Sequence, residues 1–331
     1  MTRPTGSSGS WTNHGFGLGL RSAFPLAGCA PGSTDGRPPV RLELASRSEL
    51  TAAFARKGTS VMAHRPGPSG RPLARLLAHP RSGYLISSPG HGLFQVSSRG
   101  DLVRCAPNAV AAWLWQRSLL GEVLPLVSAL RGMEALHASA VVLGAGLPAI
   151  AVAGASGSGK SSLAVELILR GGALLADDVT VVENRRAEVV AHPALGLLSL
   201  NPVTAARLEH RFLDGGVGSR VGSSHHTIRL AVQREERPVR LGAIYFLQPG
   251  HQASVRLTEV RPADPRLLLG STFNVALRTP RRLIAQLDAC AAMAVSVRMV
   301  RVSLPAAVDF SIVAGRLLTD AQAAGLLARP G

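Results

Sequence analysis

Residues 154–161 read Gly-Ala-Ser-Gly-Ser-Gly-Lys-Ser, and no other stretch constrains the chain as much. The string matches G-x4-G-K-[ST], the Walker A pattern, and each residue type in it has a physical reason. Glycines let successive backbone N–H groups curl into a nest around phosphate oxygens. The helix that follows adds the positive end of its dipole to the same anion. Lys160 can set its ammonium on the terminal phosphates, and the Ser161 hydroxyl can ligate Mg²⁺. The flanks fit as well. Ala149–Ala153 reads as an apolar strand, and Ser162–Arg170 carries Leu163, Leu167 and Ile168 at helical spacing. Only two lysines occur in the chain, Lys57 and Lys160, and one of them fills the lysine position of the motif. An ATP site built from Gly154, Ala155, Ser156, Gly157, Ser158, Gly159, Lys160, Ser161 and Ser162 is expected.

Downstream, Asp177 and Asp178 follow the apolar run Ala173–Ala176. A carboxylate at the end of a strand beside the loop can hold Mg²⁺, and a second can take a proton from an attacking hydroxyl. Adjacent residues on a strand point to opposite faces, so the two carboxylates are expected to do different jobs. A second reading of the pair stands beside this one: Asp177 as a metal carboxylate followed by a turn residue, with no base. Upstream, His137 precedes the apolar run from 138. Alone, a histidine there reads as a surface or capping residue.

Together these residues resemble the catalytic domain of the HPr kinase/phosphorylase family. The shared string is His137-Ala-Ser139, a short hairpin, Gly154–Ser161, a helix ending in Arg170-Gly171, and Leu175-Ala-Asp177-Asp178. The resemblance is specific over about residues 135–183 and weaker to the C-terminus. It implies an α/β P-loop kinase domain of HPr-kinase type, with a mixed sheet and flanking helices. It also implies Asp178 as proton acceptor, Lys160 on phosphate, Ser161 and Asp177 on Mg²⁺, and His137 beside the transferred phosphoryl group. A homo-oligomer is implied too. Gly15–Leu20, Ser22 and Pro25-Leu26 look like a divergent branch of the family, some of it associated with peptide natural-product pathways. One departure matters. The family carries a Glu-Ile-Arg-Gly type signature after the aspartates, whereas Ala191–Asn201 here has no Glu and no Arg. Kinase chemistry is therefore expected, and phosphorylase activity and a second acidic metal ligand are not.

The rest of the chain reads more coarsely. A length of 331 residues fits about two domains. Residues 1–105 read as a small β-rich domain and 106–331 as the catalytic one. Within the first, 1–20 and 30–39 read as loose, apart from a short strand at 18–22. A strand is expected at 40–46, an exposed loop at 62–82, and a hairpin of 83–88 with 93–97. A helix is expected from Asn108 to Arg131 with a break at Pro125, its Trp113 and Trp115 serving as core aromatics. Residues 138–155 hold no charge, but Gly144, Gly146 and Pro148 cut the run, so two buried strands are expected rather than a membrane span. Strands follow at 173–176, 179–183, 188–191, 239–247 and 298–303. Helices follow at 263–270, 281–296 and from 306, with Ile284, Leu287 and Ala291 facing the core. Residues 213–228 read as a mobile loop that could close over the acceptor with Arg220; His225-His226 within it lacks acidic or Cys partners for a metal.

Composition excludes more than it assigns. The net charge of +16 comes almost wholly from scattered arginines without a basic run, which reads as compositional drift and argues against nucleic acid. Cys29, Cys105 and Cys290 are odd in number and have no metal spacing, which fits a reducing, cytoplasmic setting. No apolar segment opens the chain, so no signal peptide is expected. The leading reading is an ATP- and Mg²⁺-dependent kinase for a Ser or Thr hydroxyl on a protein or peptide. Two alternatives stand: a small-molecule hydroxyl kinase, and a nucleotide-binding switch or accessory protein with little turnover.

Overall fold

The computed structural model describes residues 10–32, 36–66, 72–186, 188–214, 216–223, 227–273 and 276–327. They form two compact units, Met1–Arg131 and Gly132–Gly331. The first unit is built on one nine-stranded sheet, ordered β3-β1-β2-β4-β9-β8-β7-β6-β5. Its strands are β1 (Trp11–Gly15), β2 (Leu18–Ser22), β3 (Ala30–Pro31), β4 (Val40–Leu44), β5 (Ser60–Pro66), β6 (Pro72–His79), β7 (Gly83–Ser88), β8 (Gly92–Val96) and β9 (Leu102–Pro107). Helix α1 (Arg47–Phe54) opens on a capping box from Ser46 and Glu49 and buries Leu50 and Phe54. A continuous helical run, α2 (Ala112–Ser118), a π-helical turn (Leu119–Val123) and α3 (Leu124–Leu130), closes this unit. Trp115 is buried in it, edge-on to Phe24 at 5.1 Å and stacked on Phe94 at 6.5 Å, so this tryptophan is a core aromatic.

Several expectations change here. Contacts divide the chain at Arg131, so the helical run belongs with the first unit and not the second. Residues 62–82 are largely the β5–β6 pair rather than a loop. Pro66 and Pro72 sit at strand ends, Pro66 on the edge strand, where a missing N–H costs little. Strands β1 and β3 likewise occupy stretches read as loose.

The second unit is a mixed α/β body with two sheets. In the larger sheet, β10 (Glu134–Leu136), β14 (Thr180–Arg185), β15 (Glu188–His192), β19 (Val239–Pro249), β12 (Ala149–Gly154), β11 (Ala138–Val142) and β13 (Ala173–Ala176) follow in that spatial order. Strand β21 (Arg298–Leu304) pairs with β19 and with β20 (Arg256–Glu259). The β12-β19-β21 centre is parallel; β11 runs antiparallel to β12, and β13, antiparallel to β11, runs in the direction of the centre. Both faces of β12 and of the middle of β19 are buried and apolar, as strands covered on both sides require. Helix α4 (Lys160–Ile168) follows β12 and buries Leu163, Leu167 and Ile168. It packs with α8 (Phe310–Ala323), whose Val313, Ala314 and Leu317 are fully buried. The small sheet, β16-β18-β17, comprises β16 (Leu197–Leu200), β17 (Gly218–Ser223) and β18 (Ile228–Val232). Helix α5 (Pro202–Asp214) joins β16 to β17, and α6 (Pro265–Gly270) and α7 (Pro280–Ser296) precede β21.

Two more expectations are corrected. Much of 213–228 is the paired strand β17 rather than a loop, and Arg220 lies in its ladder opposite Leu230. Residues 224–226, with His225 and His226, lie outside the described residues. On α7, Ile284 and Leu287 are 60% and 61% exposed, and Ala291 is exposed too. The buried side of that helix carries Arg282, Cys290 and Met293 instead. Helical spacing identifies a stripe, but not what covers it.

Arg282 ties α7 to the sheet. Its Nη2 donates to Glu134 Oε1 at 2.6 Å, and both side chains are buried. Burial raises the Glu134 pKa, against the pull of Arg282. Strand β10, which ends just before His137, is thereby fixed from one side. The segment 271–273 fixes it from another: His137 N donates to Ser271 O and Phe273 N to Ala135 O. We expect Arg282→Met to cost about 3–5 kcal/mol of unfolding free energy at neutral pH, because Glu134 is left buried and charged. A carboxyl raised in the folded state binds more protons there, so lowering the pH toward the ordinary 4.5 should shrink that loss. Urea unfolding at two pH values checks both the size and the sign.

Candidate active site

Strand β12 delivers the glycine loop at its C-terminal end, and α4 begins directly after it. Gly154, Gly157 and Gly159 adopt φ of +152°, +80° and +97°, a region L-residues avoid. At Gly159 a Cβ would lie 1.9 Å from Phe310 Cζ, so the ring of Phe310 packs against the loop itself. Ser158 Oγ is buried without a hydrogen-bond partner among the described residues.

Lys160 is 7% exposed. Its Nζ donates to Gly154 O at 3.0 Å and Ala155 O at 3.1 Å, and lies 3.0 Å from His137 Nε2. An ammonium has no lone pair, so Nε2 is the acceptor and the ring hydrogen sits on Nδ1. That Nδ1 lies 3.1 Å from Asp178 O and 3.3 Å from Asp178 Oδ1. Burial lowers the Lys160 pKa, and Asp178 and Asp177 pull it back up. Lys160, His137 and Asp178 therefore form one polar chain, whereas His137 alone reads as a surface residue.

Asp177 and Asp178 diverge as expected, though by a turn rather than by strand pleat. Val179 N donates to Asp177 O, and Asp178 takes φ +67°. Asp tolerates that conformation better than most residues, and strained backbone of this kind clusters at functional sites. The Asp178 side chain is 62% exposed. Asp177 is enclosed instead. Its Oδ1 accepts from Ser139 Oγ at 2.8 Å and Ser161 Oγ at 2.9 Å, and its Oδ2 from Ser199 N at 2.9 Å. Burial raises the Asp177 pKa, and these three donors oppose the rise.

The cleft between these groups measures about 280 Å³. His137, Ser156, Gly157, Gly159, Lys160, Ser161, Ser162 and Asp178 line it, so residues 23 and 17 positions from Lys160 and Ser161 meet around one space. Gly154 and Ala155 accept from Lys160, and neither they nor Ser158 and Asp177 are among the lining residues. Sequence reasoning missed Ser199, Asn201, Thr204 and Phe310, which also line the cleft. A signal existed: Asn201-Pro202 is a helix start, and Asn201 Oδ1 accepts from Thr204 N at 2.8 Å. Nothing local marked Ser199 or Phe310. Among the described residues no three His, Cys, Asp or Glu side chains cluster to hold a metal. The Ser161 and Asp177 oxygens are a hard pair that suits Mg²⁺, an ion that usually takes few protein ligands and completes its shell with water and phosphate.

This arrangement is a cleft on a glycine loop and a helix N-terminus, with an exposed carboxylate, Asp178, and a hydrogen-bonded one, Asp177, beside it. No family model matches the chain, and no curated protein matches it in sequence. Among solved structures, the Hpr(Ser) kinase/phosphatase from Coxiella burnetii is 14% identical with a TM-score of 0.31, over 58% of this chain and 98% of that one. No helix of the described residues is long and apolar enough to cross a membrane.

Gly159→Ala tests the loop directly. The added methyl meets Phe310 and forces a strained φ. We expect at least a tenfold loss of affinity for inorganic tripolyphosphate, measured by calorimetry, with the far-ultraviolet circular dichroism unchanged.

Proposed function

We propose that the chain is an ATP- and Mg²⁺-dependent phosphotransferase acting on a Ser or Thr hydroxyl of a protein or peptide. The observation that carries this reading is the convergence of Lys160 and the exposed Asp178 on one imidazole, His137, at the mouth of the glycine loop. The loop amides, the α4 N-terminus and Lys160 would bind the polyphosphate. Ser161 and Asp177 would hold Mg²⁺, which when bound neutralises charge on the phosphates. Asp178 then takes the proton of the acceptor hydroxyl as that oxygen bonds to the terminal phosphorus and the bond to the leaving diphosphate breaks. His137 keeps Lys160 and Asp178 in register without itself losing a proton. Positioning and preorganised charge supply most of the rate in such a transfer.

A cytoplasmic setting accords with the buried thiols of Cys29, Cys105 and Cys290. Burial pushes the Cys290 thiol up to about 11, so it is a packing group rather than a nucleophile. Nucleic acid and membrane are not partners in this reading. A nucleotide-binding switch is the second reading. It is favoured by the wall formed from Ser199, Leu200 and Asn201, which adds no carboxylate to the cleft. Loss of that acidic position also speaks against phosphorolysis.

Asp178→Asn separates the two readings. Under the kinase reading it binds ATP within about threefold of wild type but loses 10²–10⁴-fold in transfer of γ-phosphate to a polypeptide in a host lysate, the range a general base contributes. Lys160→Ala should lose binding itself. If Asp178→Asn labels the same polypeptide at the wild-type rate, the base assignment is wrong. If wild type binds ATP and labels nothing, the switch reading takes its place.

A further inference from the structure

A second cleft, of about 490 Å³, opens directly beside the phosphate cleft. The two share Ser162, Thr204 and Phe310, and the second runs on along α4 to Glu166. We infer that this second cleft is the nucleoside subsite, its base lying against Phe310, Val308 and Leu208. The inference rests on the phosphate-loop reading proposed above and adds to it where the non-phosphate half of the nucleotide is held.

Direction along the cleft is the first argument. His137 and Asp178 line the phosphate cleft and take no part in the second. In an in-line displacement the attacking and leaving oxygens stand on opposite sides of the phosphorus. An acceptor that approaches Asp178 therefore sends the remaining phosphate chain the other way. On α4 the other way is Ser162, whose N–H is one of the free amides of the helix start. A turn further is Glu166, already inside the second cleft. Whatever hangs from the far end of the phosphate chain arrives there.

Chemistry is the second argument. Leu208 from α5 and Val308 and Phe310 from the α8 start give apolar walls for a flat ring. The carboxylates present are already engaged. Glu166 accepts from Arg170 at 2.7 Å and from Arg211 at 2.5 Å, and Asp309 Oδ1 accepts from Ser311 N. Arg207 is exposed on α5 and has no ion-pair partner among the described residues, which leaves its guanidinium for the base face or the α-phosphate. The volume falls within the roughly 300–1,000 Å³ of small-molecule sites.

The test compares ATP with inorganic tripolyphosphate, both with Mg²⁺, by calorimetry on the full chain. Wild type should bind ATP at least tenfold more tightly. Val308→Trp and Leu208→Trp fill the second cleft from two different elements. Each should weaken ATP about tenfold and leave tripolyphosphate within twofold. Equal affinities of wild type for the two ligands would overturn the nucleoside assignment, with the phosphate loop intact. The same holds if the folded Trp variants weaken both ligands alike or neither. Binding of neither ligand by wild type would overturn the phosphate-loop reading together with this one.

Discussion

The enclosed carboxylate of Asp177 ties the candidate site together. It receives a hydrogen bond from β11 through Ser139, from α4 through Ser161 and from β16 through Ser199 N. Each donor belongs to a different element, so one side chain fixes the distance between the hairpin, the helix start and the small sheet. The arrangement is costly in isolation, since burial disfavours the charged form, and three donors are what make it tenable. An unpaired carboxylate there would separate those elements. A hard cation would find the same oxygens already facing each other, which is the kind of preorganisation that catalysis by charge requires.

Around that anchor the remaining groups are placed by backbone rather than by side-chain choice. The turn at Asp177 swings Asp178 into the left-handed region and out toward solvent, where it meets His137. His137 is in turn delivered by β10, a strand of three residues too short to stand alone. Its position depends on the 271–273 segment beside it and on the buried Glu134–Arg282 pair behind it. The geometry at the cleft mouth thus rests on a contact 148 positions apart in sequence.

This explains what was legible in the chain and what was not. The loop, the α4 face and the β13 strand into Asp177 are local patterns, set by spacing and by glycine, and they stand in the structure where they were read. Ser199, Thr204 and Phe310 reach the cleft only through the packing of β16, α5 and α8, and no period of two or 3.6 records which elements will meet. The same gap misassigned α7: Leu287 and Ile284 have core spacing but face solvent, while a charged residue, Arg282, goes inside because Glu134 waits there. Prolines misled at 62–82, since an edge strand tolerates them as well as a loop does.

The electrostatic balance of the cleft follows from the same placement. Facing an incoming polyphosphate are the Lys160 ammonium, the loop amides and a helix start worth roughly half a positive charge. Against them stand two carboxylates, but Asp177 is occupied by three donors, and Asp178 lies at the mouth rather than the floor. The wall from Ser199 to Thr204 is uncharged, because Ala191–Asn201 contributes neither Glu nor Arg to it. The carboxylate that lines the described cleft is therefore that of Asp178, and it is paired with His137 rather than with the loop.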